Sequence, residues 1–250
     1  MERFRTDGAV LKASATGEAD RIVHILTRER GLVRAFAKGA RSPKSRLHAG
    51  TVPFAFGEFD LTEKSSVFYV NAADPREIFY GLRLTLEKLT LAQYFCEVLL
   101  RTSTEGQSDP ETLRLFLNAL HLLCEDKKPM LQVKAVFELR LATDAGYAPA
   151  LVGCDACGTY ETAMMYFDPR GGTLRCGACD ADAPYVPAPL AVVSAMRHIV
   201  FSEFDRVFSF SLEPSLLSAL NRMTSAYLEN CFQCRFRLLE MFNGLAEPGS

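Results

Sequence analysis

Four cysteines in the second half of the chain have the spacing of a zinc site. They form two C-x-x-C pairs, Cys154 with Cys157 and Cys176 with Cys179, separated by eighteen residues. In zinc ribbons, two such pairs lie on tight turns that face each other and supply four thiolates to one ion. Four thiolates leave no coordination position for water, which disfavours a catalytic zinc. We therefore predict a structural Zn²⁺ held by these four residues.

The same cysteines could instead form disulfides or lie buried as free thiols. Residues 1–5 lack the apolar core of a secretion signal, so we expect a cytoplasmic chain with reduced thiols, which favours metal. A third C-x-x-C, at Cys231 and Cys234, falls on an apolar stripe of the last predicted helix that also includes Leu238. Because cysteine behaves as a small hydrophobe in cores, we expect both cysteines to pack there.

The first 80 residues predict a small β-barrel, and charge is unevenly distributed along the chain. Five segments rich in β-branched and aromatic residues alternate with turn signals, and five short strands fit an OB-fold. Residues 1–50 hold eleven Lys or Arg and five Asp or Glu, although the whole chain has a net charge of −2. This asymmetry indicates a polyanionic partner for the N-terminal region. The predicted strands are Arg5 to Ala13, Arg21 to Thr27, Leu32 to Lys38, Phe54 to Leu61 and Val67 to Asn71.

One predicted strand and the loop after it have the composition of a nucleic-acid surface. Along residues 32–38, cationic or aromatic residues alternate with Val and Ala, which suit a barrel interior. The loop over residues 38–46 has a cation at every second or third position and no acid. Cations serve phosphates and rings stack on bases, although many basic loops are only solvated surface. The predicted DNA-binding residues are Arg34, Phe36, Lys38, Arg41, Lys44 and Arg46.

The remainder of the chain predicts helices interrupted by the cysteine-rich segment. Apolar stripes at helical spacing follow Gly81, Asp109 and Pro129, and helical sequence resumes over residues 190–200 and 214–234. Between the cysteine pairs, residues 164–172 predict a short hairpin. We expect an α+β multidomain chain. Its predicted parts are an OB-fold domain at 1–80, a helical bundle domain at 81–148 and 188–250, and an inserted zinc module at 149–187.

The sequence contains no motif for catalysis. The phosphate loop, the H-E-x-x-H motif and the G-x-S-x-G elbow are all absent from it. Its four histidines are scattered, and we interpret His24, on a predicted barrel strand, as a satisfied packing residue. We therefore predict that the protein is not an enzyme.

Three N-terminal segments resemble the RecO family of bacterial recombination mediators. They are residues 17–23, 27–31 and 37–47, which read GEADRIV, TRERG and AKGARSPKSRL. The order of a helical region interrupted by a four-cysteine module is also similar to that family. The resemblance implies an OB-fold that binds single- and double-stranded DNA without sequence preference and a protein that anneals complementary strands. It also implies a cytoplasmic, nucleoid-associated protein that acts in DNA repair and recombination.

The same resemblance implies protein partners. With the ring-forming partner RecR, such proteins help to load the recombinase RecA on DNA coated by single-strand-binding protein. They commonly dock on the acidic C-terminal tail of that coating protein. The acidic balance of residues 51–250 does not indicate where such a tail would bind, so no residues are assigned to it.

Two readings from other functional classes stay open. One is a zinc-ribbon transcription or assembly factor, although Asp155, Asp180 and Asp182 surround the cysteine pairs and make a poor surface for phosphate. The other is a metal-dependent nuclease, which strand cleavage in the presence of a divalent ion would reveal.

Overall fold

A computed structural model of the chain describes residues 2–179 and 185–246, which leaves Asp180 and Asp182 outside the described residues. Within these ranges no helix is both long enough and apolar enough to cross a membrane. The strands are β1 Glu2–Thr16, β2 Asp20–Thr27, β3 Gly31–Ala37, β4 Phe56–Lys64, β5 Val67–Glu77, β6 Ala150–Cys154, β7 Met164–Asp168, β8 Thr173–Cys176 and β9 Val186–Pro189. The helices are α1 Leu86–Thr102, α2 Pro110–Cys124, α3 Met130–Asp144, α4 Leu190–Phe201, α5 Pro214–Cys231 and α6 Arg237–Ala246.

The first five strands close into a barrel in the order β1-β2-β3-β5-β4. Four of the five seams are antiparallel, whereas β3 and β5 pair in parallel at only two positions, Ala35 with Phe68 and Phe36 with Tyr69. The alternation read from the sequence places small residues inside, because successive side chains of a strand point to opposite faces. All five strands lie where the sequence predicts them. Their ends differ by up to three residues, except that β5 continues six residues beyond the predicted end.

The barrel belongs to a compact unit that also contains three helices. This unit comprises Met1–Glu125 and Phe236–Ser250, so it includes α1, α2 and α6. Thr85 and Asp109 cap the first turns of α1 and α2 by accepting hydrogen bonds from backbone N–H groups. Tyr94 of α1 meets Phe236, just before α6, edge to face, with ring centroids 5.8 Å apart. The sequence predicted a helix that follows Asp109, which is where α2 begins.

A second compact unit, Asp126–Arg235, contains α3, α4, α5 and a four-stranded sheet in the order β6-β8-β7-β9. Strands β7 and β8 form the antiparallel hairpin that the sequence predicted. Lys134 and Glu138 of α3 form a completely buried ion pair with 2.9 Å between Nζ and Oε1. Hydroxyls of Thr224 and Ser225 on α5 donate to the same carboxylate. The predicted domain boundaries at 80, 148 and 188 remain predictions.

The last predicted helix, 214–234, does not extend to Leu238, which the sequence had placed on its apolar stripe. Helix α5 ends at Cys231, and α6 begins only at Arg237. The cause is a left-handed residue, Gln233 at φ 50°, after which the N–H of Cys234 donates to the Glu229 carbonyl. This pattern terminates helices. Both Cys231 and Cys234 are consequently half-buried rather than packed in a core.

Candidate nucleic-acid interface and metal centre

The outer face of β3 exposes the residues that the sequence selected for DNA. Arg34 and Lys38 are exposed and Phe36 is half-buried, whereas the alternating Val33 and Ala35 lie in the barrel core. Because β3 pairs with β2 and β5 on its two sides, neighbouring strands limit how far this face can move. The strand therefore presents Arg34 and Phe36, followed directly by Lys38, on a rigid support.

The loop after β3 is anchored to the turn between β1 and β2. The Gly39 N–H donates to Asp20 Oδ1 at 2.7 Å, and the Arg41 guanidinium donates to the Glu18 carbonyl at 3.1 Å. Gly39 adopts φ 67°, a left-handed conformation that costs glycine little. These bonds bring together two of the three segments that carry the family resemblance.

Buried residues fix both ends of the same loop. Ala40 and Leu47 contribute to the core of the barrel, while Lys44 and Arg46 between them are exposed. The loop thus has an ordered backbone and solvent-facing cations. This arrangement can hold phosphates without a large ordering cost.

The cations of the barrel fall into two groups according to their partners. The first group pairs with acids: Arg5 with Glu58 at 3.6 Å, Arg76 with Asp7 at 3.0 Å, and others. The second group makes no ion pair within residues 2–179 and 185–246. The acid-paired cations are Arg3, Arg5, Arg30 and Arg76. The cations without an acid partner in the described part of the chain include Lys12, Arg34, Lys38, Lys44 and Arg46.

Sequence reasoning missed a second ring beside Phe36. Tyr69 of β5 meets Phe36 edge to face, with ring centroids 6.1 Å apart, and 40% of Tyr69 is exposed. The two residues are register partners across the parallel seam. Tyr69 lies on a strand that the sequence did predict, but the pairing of β3 with β5 is a long-range property that no local pattern reveals.

His24 is not the satisfied packing residue that the sequence suggested. Its Nδ1 atom is buried and has no hydrogen-bond partner among the described residues. Burial, and then the charges of Lys12 and Arg34, hold the pKa of His24 below its usual value. The ring therefore favours the neutral form in the free protein.

The four predicted zinc ligands lie together. Their Sγ atoms are all within 4.8 Å of one another, and the Sγ atoms of Cys157 and Cys176 are 3.6 Å apart. Tetrahedral coordination with zinc–sulfur bonds of about 2.3 Å places sulfurs about 3.8 Å apart. Cys154 and Cys176 are buried, so the cluster is closed on one side. The donor set and its geometry fit a structural zinc ion.

The charge state of the cluster also suits a cation. The Thr159 hydroxyl and backbone N–H lower the pKa of Cys157 to about 6. Cys157 and Cys176 raise the pKa of Cys179 to about 12. A divalent ion at the centre of these sulfurs would favour the thiolate form of all four.

Arg197 of α4 holds the strand that leads into the first cysteine pair. Its buried guanidinium donates to the carbonyls of Leu151 at 2.7 Å, Val152 at 3.2 Å and Tyr160 at 2.6 Å. These bonds fix the backbone on both sides of the first cysteine turn. Sequence reasoning did not identify this residue, because its partners are backbone atoms distant in sequence.

The surface around the cysteines offers few cations to phosphate. Arg175 is paired with Asp155, with 3.0 Å between Nε and Oδ1.

In the described parts of the chain, no other three His, Cys, Asp or Glu side chains lie close enough together to share a metal ion.

Comparison with known proteins identifies the family. The model for the Recombination protein O N terminal matches residues 1–79, and the model for the Recombination protein O C terminal matches residues 83–237. The chain is 34% identical over 246 residues to the DNA repair protein RecO of Acetivibrio thermocellus, with 98% of each chain covered. It is also 34% identical to the protein of that name from Desulforudis audaxviator, over 92% of this chain and 91% of the relative. The chain therefore belongs to the Recombination protein O family.

Proposed function

We propose that this protein is a DNA-binding recombination mediator that is not an enzyme. Membership of the family supports a role in DNA repair and recombination. The observation that carries the DNA-binding part of the proposal is the division of the barrel cations. Arg34, Lys38, Lys44 and Arg46 share one strand and its loop, are exposed, and have no acid partner in the described residues. Exposed cations without counter-charges are what a polyanion neutralises.

We propose that the barrel is an OB-fold and that residues 1–80 form the DNA-binding domain. A five-stranded closed barrel is the architecture on which OB-folds bind oligonucleotides. The cations of β3 and of residues 38–46, Arg41 included, bind phosphates and release counterions. Phe36 stacks on a base, a contact that tolerates any sequence.

Annealing follows from this binding without chemistry. Two strands whose phosphates are neutralised on one surface repel each other less, so complementary bases meet more often. No bond is broken and no nucleotide is consumed. We propose, from the family, that the protein works with RecR in loading RecA on DNA coated by single-strand-binding protein, and that it contacts the tail of that coating protein.

The four cysteines, Cys154, Cys157, Cys176 and Cys179, hold a structural Zn²⁺ in this proposal. The ion would cross-link the turn after β6 to the turn after β8 and so stabilise a small sheet. A zinc ribbon that itself reads DNA is less well supported, because Arg175 is occupied by Asp155.

A salt titration of binding to a fluorescent oligothymidylate tests the proposal. The test variant is Lys38→Gln/Lys44→Gln/Arg46→Gln. The matched control is Arg5→Gln/Arg30→Gln/Arg76→Gln, which removes the same charge from cations that already have acid partners. For single strands, log K falls with log salt by about 0.7 per phosphate neutralised. We expect the test variant to bind more weakly, with a slope shallower by about 2.

The control variant should keep the affinity and slope of the parent to within about one phosphate contact. Equal losses in both variants would show that only net charge matters and would contradict the proposed surface. Complementary strands should anneal faster with the parent than with the test variant. Cleavage of the labelled strand after addition of Mg²⁺ or Mn²⁺ would instead support a nuclease.

A further inference from the structure

The outer face of the barrel carries a row of three nitrogen-containing side chains that crosses three strands. Register pairs place Lys12 of β1 beside His24 of β2, and His24 beside Arg34 of β3. All three side chains of the row point outward, because the residues next to them in sequence, Ala13, Val23 and Ala35, point inward and contact the core. Strands lie about 4.8 Å apart, so the row spans roughly 10 Å.

His24 is the central member of this row and the least satisfied. Lys12 and Arg34 are exposed on either side, whereas the ring of His24 is half-buried. Its buried Nδ1 has no partner among the described residues. No hydrogen bond to that nitrogen therefore compensates a charge on the ring in the free protein.

The charges that face His24 come from three elements. Lys12 on β1 and Arg34 on β3 disfavour its protonation, and Glu105, in the segment after α1, favours it weakly. Burial adds the largest unfavourable contribution. Two cations against one acid leave a net positive field, which attracts an anion and excludes a third positive charge.

We propose that Lys12, His24 and Arg34 form one phosphate-binding row, and that His24 gains a proton when a phosphate of single-stranded DNA occupies it. The inference rests on the DNA-binding function proposed above and extends the surface beyond β3 and its loop. A phosphate between Lys12 and Arg34 neutralises the two charges that oppose protonation. Binding of DNA and binding of the proton then strengthen each other by the same factor.

The consequence is an affinity that rises as pH falls. Each unit by which bound DNA raises the pKa of His24 is worth a tenfold gain in affinity at low pH. The gain is absent at pH 8, where the ring is neutral in both states. A protonated His24 also adds a charge to the interface, so the salt slope steepens by about 0.7.

Binding of oligothymidylate between pH 5.5 and 8.0 tests this coupling, because thymine carries no group that protonates in this range. The variants are His24→Gln, which cannot be charged, and His24→Lys, which is always charged. The control is His48→Gln, which removes a ring whose Nδ1 lies 3.1 Å from the Ala40 carbonyl. We expect the parent to bind roughly three- to tenfold more tightly at pH 5.5 than at pH 8.0.

The variants separate this row from the rest of the surface. His24→Gln should match the parent at pH 8.0 and lose its pH dependence, and His24→Lys should bind tightly at both ends of the range. His48→Gln should behave as the parent. An NMR titration should place the pKa of His24 below 6.5 without DNA and higher with it.

Two outcomes would overturn the inference, and they differ in what else they affect. If the parent binds oligothymidylate but its pH dependence survives in His24→Gln, the row is wrong while the DNA-binding function stands. If neither the parent nor any variant binds at any pH, both fail. An unchanged pKa of His24 on addition of DNA would also refute the coupling.

Discussion

On the face of the barrel that carries acid-paired arginines, the Asp60 carboxylate accepts hydrogen bonds from Arg3 at 2.8 Å and from Asn71 at 2.9 Å. These bonds lower the pKa of Asp60 to about 2. A carboxyl whose pKa is lowered by folding stabilises the protein above its ordinary pKa. That stability is lost as pH falls from about 4 through 2.

We predict that Asp60→Asn destabilises the protein by about 1 kcal/mol at pH 6, a modest value because Arg3 is mostly exposed. The difference in stability between parent and variant should shrink below pH 4, because the Asp60 carboxyl of the parent becomes protonated as pH falls. Urea denaturation at several pH values measures it. Asp74→Asn, which alters an exposed carboxylate, is the control, and an Asp60→Asn difference that stays constant down to pH 3 would contradict the assignment.

Single residues show which features of the site could be predicted. Arg34, Phe36 and Lys38 follow from the alternation of one strand, which is local. Tyr69 and the row through His24 depend on which strands become neighbours. Pairing across the barrel joins residues far apart in sequence, so local composition and spacing did not reveal them.

At the level of elements, α3 and α5 are joined by a polar network rather than by apolar contacts alone. The buried pair Lys134 and Glu138 is completed by Asn221, Thr224 and Ser225 of α5. A buried charge is costly when its partner is removed, whereas replacement of both partners by apolar groups is much better tolerated.

We predict that Glu138→Gln destabilises the protein by about 3–5 kcal/mol, because it removes the charge that pairs with the buried Lys134 ammonium. The double variant Lys134→Met/Glu138→Gln should recover part of that loss. Guanidinium denaturation measures both. Glu111→Gln, which breaks an exposed pair with Arg114 on α2, should cost less than about 1 kcal/mol. A loss that small for Glu138→Gln would mean that water reaches the network.

The elements also show why helix ends are harder to predict than helix positions. The start of α2 could be predicted because the side chains of Asp109 and Pro110 favour the first turn of a helix. The end of α5 depends on the left-handed backbone conformation of Gln233, and glutamine is not a residue type that indicates such a conformation. The apolar stripe continues through the break, and it therefore suggested one helix where there are two.

At the level of the whole molecule, the two compact units contain different candidate sites. The unit of the barrel carries the proposed DNA surface, and Asp126–Arg235 carries the four cysteines. Since a small sheet buries little apolar surface, its stability depends on the metal in this proposal.

We predict that the purified full chain contains one zinc ion and that its removal by a chelator has a local effect. Hydrogen exchange should accelerate in β6, β7 and β8, whose turns hold the cysteines. The exchange of β1 to β5 should stay within error of the untreated protein, and so should affinity for oligothymidylate. Uniform acceleration throughout the chain would contradict this division of roles.

The path of the chain between the units has a consequence for synthesis. The chain leaves the unit of the barrel at Glu125 and returns to it at Phe236. A ribosome delivers residues in order, so the contact between Tyr94 and Phe236 cannot form until almost the whole chain has emerged. Residues 126–235 are complete earlier and can gain their native contacts first. A premature stop just after Arg235 would therefore leave residues 126–235 complete, whereas the unit that contains the barrel would lack Phe236 and α6.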